Sequence, residues 1–149
     1  CTMNKEIEIF INKQTCATIC CIDAEGNPYC FTVFIAFNSD QVLLYFKSSA
    51  ATHHSKYIHT NPKVAGTILP NKLSRFSTQG IQFQGVILVN ENPLTLQATT
   101  HFYKRHPLAL GVPGEVYTLQ LNQIKYSGLH LGIKTKLRWS RDEMSSKSK

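Results

Sequence analysis

Acidic side chains are scarce. Nine Asp and Glu stand against sixteen Lys and Arg in 149 residues, for a net charge of +7. The acids Asp23, Glu25, Asp40, Glu91 and Glu115 fall mostly in apparent turns, so no paired-carboxylate acid–base machinery is visible. Nucleotide fingerprints are missing as well. No G-x-G-x-x-G follows a strand pattern and no G-x-x-x-x-G-K-[ST] occurs, which argues against Rossmann and P-loop sites. The absence of H-E-x-x-H and of G-x-S-x-G removes zinc-protease and α/β-hydrolase readings. No apolar run reaches the ~20 residues that a bilayer span needs. The first ten residues, CTMNKEIEIF, lack the basic, apolar and small-residue zones of a secretory signal, so the expectation is a cytoplasmic protein. No repeat and no Gly- or Ser-rich linker interrupts the chain. A single domain over 1–141, followed by a polar basic tail at 142–149, is expected.

The five cysteines, Cys1, Cys16, Cys20, Cys21 and Cys30, are odd in number and form no C-x-x-C. Four of them sit in apolar, strand-like runs, and the adjacent Cys20 and Cys21 point to opposite faces of a strand. Buried free thiols are expected, not disulfides or a zinc site. The histidine pairs His54/His59 and His101/His106 are five residues apart, which splays them on a helix, so no metal site is expected. Residues 134–149 carry six basic side chains against two acids, which is more than half of the net charge. A solvated basic end explains that better than a nucleic-acid surface.

Apolar periodicity gives the coarse fold. Ile7, Phe10 and Ile11 recur at helical spacing, so a short amphipathic helix is predicted at 4–13. TCATICCI (15–22), YCFTVFIAF (29–37) and QVLLYFK (41–47) read as strands joined by the turns DAEGNP and NSD. Turns this short make the three strands an antiparallel meander. A short helix at 50–61 ends before Pro62. Strands are predicted at 63–69 and 79–90, a second helix at 93–105 behind Pro93, a connector at 106–114, and three strands, EVYTLQL, QIKYSGL and IKTKLRW, to close. The fold class is mainly β, a barrel with a few short helices.

Two stretches carry candidate chemistry. SSAATHHSKYIHTNP (48–62) opens a helix with hydroxyls, amides and imidazoles and no acid, a composition suited to an anion at a helix N-terminus. Free backbone amides, Ser48, Thr52 and a protonated His54 could surround a phosphate; Ser48 and Ser49 could simply cap the helix. GIQFQG (80–85) places Gln82 opposite in facing to Ile81 and Phe83. Its amide offers both donor and acceptor to a heterocycle, or to a neighbouring loop.

The order of helix, strand, GNPY turn, two strands, S-S-x-x-T-H-H…N-P-x-V-A and then G-x-Q-x-x-G resembles the pyridoxamine-phosphate-oxidase-like family of FMN-binding split β-barrels. GIQFQG, FYKRHPLA and LNQIKYSGLHLGIKTKLRW look like a small bacterial branch of it. The resemblance covers about residues 5–141. It implies a split β-barrel homodimer with FMN at the subunit interface, and an FMN-dependent oxidoreductase of unknown substrate. By position it implies cofactor contacts at Thr32, Ser48, Ser49, Thr52, His53, His54 and Gln82, with Gln79 as the other glutamine. Trp139 falls where the chain crosses toward the partner. The family's Ser-Arg-Lys at the helix start reads Thr52-His53-His54 here, and no Arg or Lys stands at the phosphate positions. The alternative is therefore a non-catalytic dimeric ligand-binding module that has lost tight FMN binding; haem in the same barrel is a further one.

Overall fold

The computed structural model describes residues 3–49 and 51–142. Of the basic tail expected at 142–149, residues 143–149 lie outside the described residues, as does Cys1.

Helix α1 (Lys5–Lys13) forms because Asn4 caps it, accepting from the Glu6 amide at 2.8 Å. Glu6 and Glu8 at its start and Lys13 at its end complement the helix dipole. Ile7, Phe10 and Ile11 bury their side chains, and Phe10 meets Tyr126 edge-on with ring centroids 5.6 Å apart. Strands β1 (Cys16–Ile22), β2 (Pro28–Asn38) and β3 (Leu43–Ser48) form the expected meander. At the first turn the Asp23 carboxylate accepts the amides of Glu25 and Asn27 at 2.9 and 2.8 Å.

Helix α2 (His53–Thr60) follows, then β4 (Lys63–Ile68), β5 (Ser77–Ile87), α3 (Ala98–Arg105), β6 (Glu115–His130) and β7 (Ile133–Ser140). The strand order is β3-β2-β1-β4-β5-β6-β7, and a further pairing of β3 with β6 closes a six-stranded antiparallel barrel. The expected barrel with a few short helices is the observed architecture. Its interior holds Ile7, Phe10, Ile19, Ile35, Leu44, Phe46, Phe83, Leu119, Ile124 and Trp139. A second cluster, Ala36, Leu43, Tyr45, Ala98 and Phe102, lies where α3 covers β2 and β3.

Three expectations change. EVYTLQL and QIKYSGL are not two strands but one, the sixteen-residue β6. Gly85 pairs with Leu121 and Gln84 with Gln123, so Asn122 is the extra residue of a bulge and not a break. Gly85 permits this crossing, because a Cβ there would collide with the Gln120 carbonyl. The helix expected at 93–105 divides into a 3₁₀ turn at Pro93–Thr95 and α3. Finally, Cys20 and Cys30 are a disulfide, and only Cys16 and Cys21 are free thiols among the described residues. The β1–β2 register sets Cys20 directly opposite Cys30, a partnership that the facing of neighbours along one strand does not reveal.

Candidate functional site

The 48–55 segment is a compact hydroxyl–imidazole cluster. Ser48 ends β3 two residues after Phe46, so it faces the barrel side and is buried. The chain then turns into α2. The Ser49 carbonyl accepts from the Thr52 amide at 3.1 Å, the Thr52 hydroxyl at 2.8 Å and the Ser55 hydroxyl at 2.8 Å. Nε2 of His54 lies 2.5 Å from Ser48 Oγ and 3.2 Å from Thr52 Oγ1. The His54 ring stacks on Phe31 of β2, centroids 3.8 Å apart and planes 10° from parallel.

That packing changes the role of His54. Burial first, and then the neighbouring His53, hold the imidazole below its ordinary value of 6.5, so the ring is neutral at pH 7. A neutral ring bridging two hydroxyls positions the turn more than it supplies charge. Ser48 is likewise committed inside the cluster. Outward-facing groups are Ser49 and His53, both exposed, together with the first amides of α2, which no side chain caps. Lys47 does not contribute charge here, because its ammonium donates to the carbonyls of Ala109 (2.7 Å) and Val112 and lies over the Tyr103 ring.

Thr32 and Gln82 are not in this cluster. They belong to one cross-strand row on the outer sheet face, in the order Thr32, Thr18, Thr67, Gln82, Lys125, Arg138. Each is the direct partner of the next, so all six share a face. Thr32 and Gln82 are three strands apart, about 14 Å at the usual strand spacing. Thr32 follows the Phe31 on which His54 stacks but faces the other side of β2, so the row and the α2 cluster lie on opposite faces of that strand. Two depressions lie along it, one of about 310 Å³ at Thr18, Thr32 and Thr67 and one of about 490 Å³ at Gln82, Lys125 and Arg138. Gln79, the other candidate glutamine, donates to the Tyr126 hydroxyl at 2.9 Å, whereas the side-chain amide of Gln82 makes no hydrogen bond among the described residues. Trp139 is 5% exposed inside the barrel, with the Arg141 guanidinium 5.4 Å from its ring, so its side chain is not presented to a partner. No three His, Cys, Asp or Glu side chains come together as a metal site among the described residues.

Phe31, Ser55, Thr18 and Thr67 escaped the sequence reading. Ser55 had a signal, being three residues after Thr52 on a helix. The threonines had none, since only the register of β1 with β2 and β4 puts them side by side.

Residues 3–107 match the sequence profile of pyridoxamine 5'-phosphate oxidase, over two thirds of the chain. A UPF0306 protein of Enterobacter sp. (strain 638) is 31% identical over 137 residues, covering 92% of this chain and 96% of that protein. The chain belongs to the pyridoxamine 5'-phosphate oxidase family and to the UPF0306 proteins. A UPF0306 protein of Photorhabdus laumondii is similarly close to this family member, 29% identical over 91% of the chain and 94% of its own length. Solved structures give the family's fold. The haem-binding protein of Mycobacterium smegmatis superposes with a TM-score of 0.77 at 12% identity, covering 95% of this chain; the chain spans 59% of that protein. HutZ, the haem storage protein of Vibrio cholerae, superposes at 0.66 with 18% identity over 86% of this chain and 96% of its own. A FAD-binding protein of Mesorhizobium loti does so at 0.66 with 14% identity, over 85% and 95%.

Proposed function

We propose that the chain is a flavoprotein that binds FMN on the outer sheet face and works as a homodimer in redox chemistry on a small molecule. The observation that carries this reading is the N-terminus of α2, whose first amides no side chain caps. The phosphate would sit on the first amides of α2 with Ser49 and His53, while His54, Ser48 and Thr52 hold the turn in shape. The ribityl chain would follow Thr32 and Thr18, and the isoalloxazine would reach Gln82. The donor set fits the group in its amides and hydroxyls for a dianion and a glutamine amide for the mixed edge of the ring, while Glu115, the cross-strand partner of Ser48, is a neighbouring carboxylate whose Oε2 accepts from the Tyr117 hydroxyl. Without Arg or Lys at the phosphate the grip is weaker than a charge-assisted one.

When bound, the flavin supplies the electron transfer, and the protein positions it. A flavin lying on this face would leave one side to solvent, and Phe34, Leu69, Leu73 and Phe76 are exposed. A second copy is the partner that would cover both.

The test is the visible spectrum after FMN addition and desalting, with mass from light scattering. Retained flavin absorption at one FMN per protomer of a dimer is expected. A colourless protein would return the reading to a binding module without flavin. A Soret band after haem addition, with no flavin retained, would replace FMN by haem.

A further inference from the structure

The Cys20–Cys30 disulfide lies on the same outer face as the polar row. Cys30 stands two residues from Thr32 along β2, and Cys20 two residues from Thr18 along β1. Two residues of strand are about 7 Å. The bridge therefore heads the adjacent row, Cys30, Cys20, Ala65, Gln84, Gln123 and Ser140. Cys30 is exposed and Cys20 half-buried, and Cys20 opens into a groove of about 540 Å³ shared with Ala65 and Gln84.

Two features separate this bridge from a structural staple. It closes only a ten-residue separation, at the short end of what chain-entropy stabilisation rewards. It is also open to solvent, whereas the free Cys21 thiol points into the core, where burial pushes its pKa up and makes it a poor nucleophile. Cys16, the other free thiol, is four residues from Cys20, about 13 Å along the strand, and does not compete for the bridge.

We propose that Cys20 and Cys30 are a redox-active pair, a second two-electron site that exchanges electrons with the flavin on the same face. The inference rests on the flavin reading above. Reduced flavin gives up two electrons and two protons, the S–S bond breaks, two thiols form and the flavin is left oxidised. The reverse direction re-forms the bridge and reduces the flavin. Electrons enter through whatever reduces the flavin, which is dithionite in the test.

The FMN-loaded chain, purified without thiols, is titrated anaerobically with dithionite. Flavin absorbance is followed, and samples are alkylated and mass-mapped. The expected uptake is about four electrons per protomer, two for each couple. Cys20 and Cys30 become alkylated in step with the titration, while the flavin-free chain under the same dithionite keeps its bridge. The Cys20→Ser, Cys30→Ser double variant, loaded with FMN, takes up about half as much. Complete bleaching of the flavin with the bridge intact overturns the proposal alone, as does equal reduction of the bridge without flavin. Free thiols at Cys20 and Cys30 in the starting protein also overturn it. Failure to retain FMN overturns the cofactor reading and this inference with it.

Discussion

Substitution of Gly66 by alanine probes the feature that holds the polar row together. Gly66 sits in β4 between the outward-facing Ala65 and Thr67, opposite Ile19 on one side and Phe83 on the other. A methyl group there would meet the Thr18 carbonyl oxygen and the Phe83 ring. The ring can turn aside. The carbonyl cannot, because it belongs to the β1–β4 ladder, whose register has only Thr18, Ile19 and Cys20 paired with Thr67, Gly66 and Ala65. Overpacking costs about 1–3 kcal/mol, and a clash with backbone puts Gly66→Ala near the upper end. With a urea slope of about 2 kcal/mol/M, the midpoint falls by roughly 1–1.5 M. Urea unfolding read by far-UV circular dichroism and by Trp139 fluorescence measures it. Thr67→Ala, on the solvent face of the same strand, should stay within about 0.5 kcal/mol. Adding Phe83→Leu to Gly66→Ala relieves the ring contact and should give a favourable coupling of at least about 0.5 kcal/mol. A Gly66→Ala chain as stable as its parent would refute the close approach of β1 and β4. Strict additivity of the pair would refute the part assigned to the ring.

Three further outcomes follow from the geometry. Arg141 donates through Nε to the Leu121 carbonyl at 2.9 Å and through Nη2 to Gln41 and Val42 at 3.0 and 2.8 Å. Val42 stands at φ 56, a conformation costly for a β-branched residue, so this clamp holds a strained turn. Arg141→Ala should cost about 1–3 kcal/mol, and lysine should restore little because it lacks the fork; an unchanged Tm for the alanine variant would remove the clamp. His54 has its folded pKa lowered, so the unfolded chain takes up the proton first. The fold therefore loses stability as pH falls below about 6.5 toward the folded pKa, at no more than about 1.4 kcal/mol per pH unit, and loses none through this group at higher pH. His54→Gln should flatten that acid limb in denaturation at pH 7.5 and 5.5, and equal losses in variant and parent would rule out His54 as its source. If His54 acts by holding Ser48 and Thr52, His54→Ala should weaken FMN binding about equally at pH 6 and pH 8; a much larger loss at pH 6 would restore the imidazolium to the phosphate site.

Local pattern was enough for much of this molecule. The helical spacing of Ile7, Phe10 and Ile11, the Asp23 turn and the meander of β1 to β3 are short-range features, set by side-chain period and turn chemistry within a few residues. The hydroxyl and imidazole composition of 48–55 was equally visible, and the motif order led to the family. What local pattern could not supply was partnership between distant strands. Thr18 and Thr67 are neighbours only because β4 pairs with β1, and Cys20 meets Cys30 only because the hairpin register sets them opposite. The bulge at Asn122 hid inside what looked like a strand break. His54 offered a charge in the sequence and lost it in the fold, because burial, and then the neighbouring His53, favour the neutral ring. The sequence by itself determined most of the elements, the barrel class and the polar helix start, since those follow from periods of 2 and 3.6 along the chain. Only the tertiary structure decided which side chains stand in one row and which are spent on holding the turn, because register and burial depend on residues far apart in the chain.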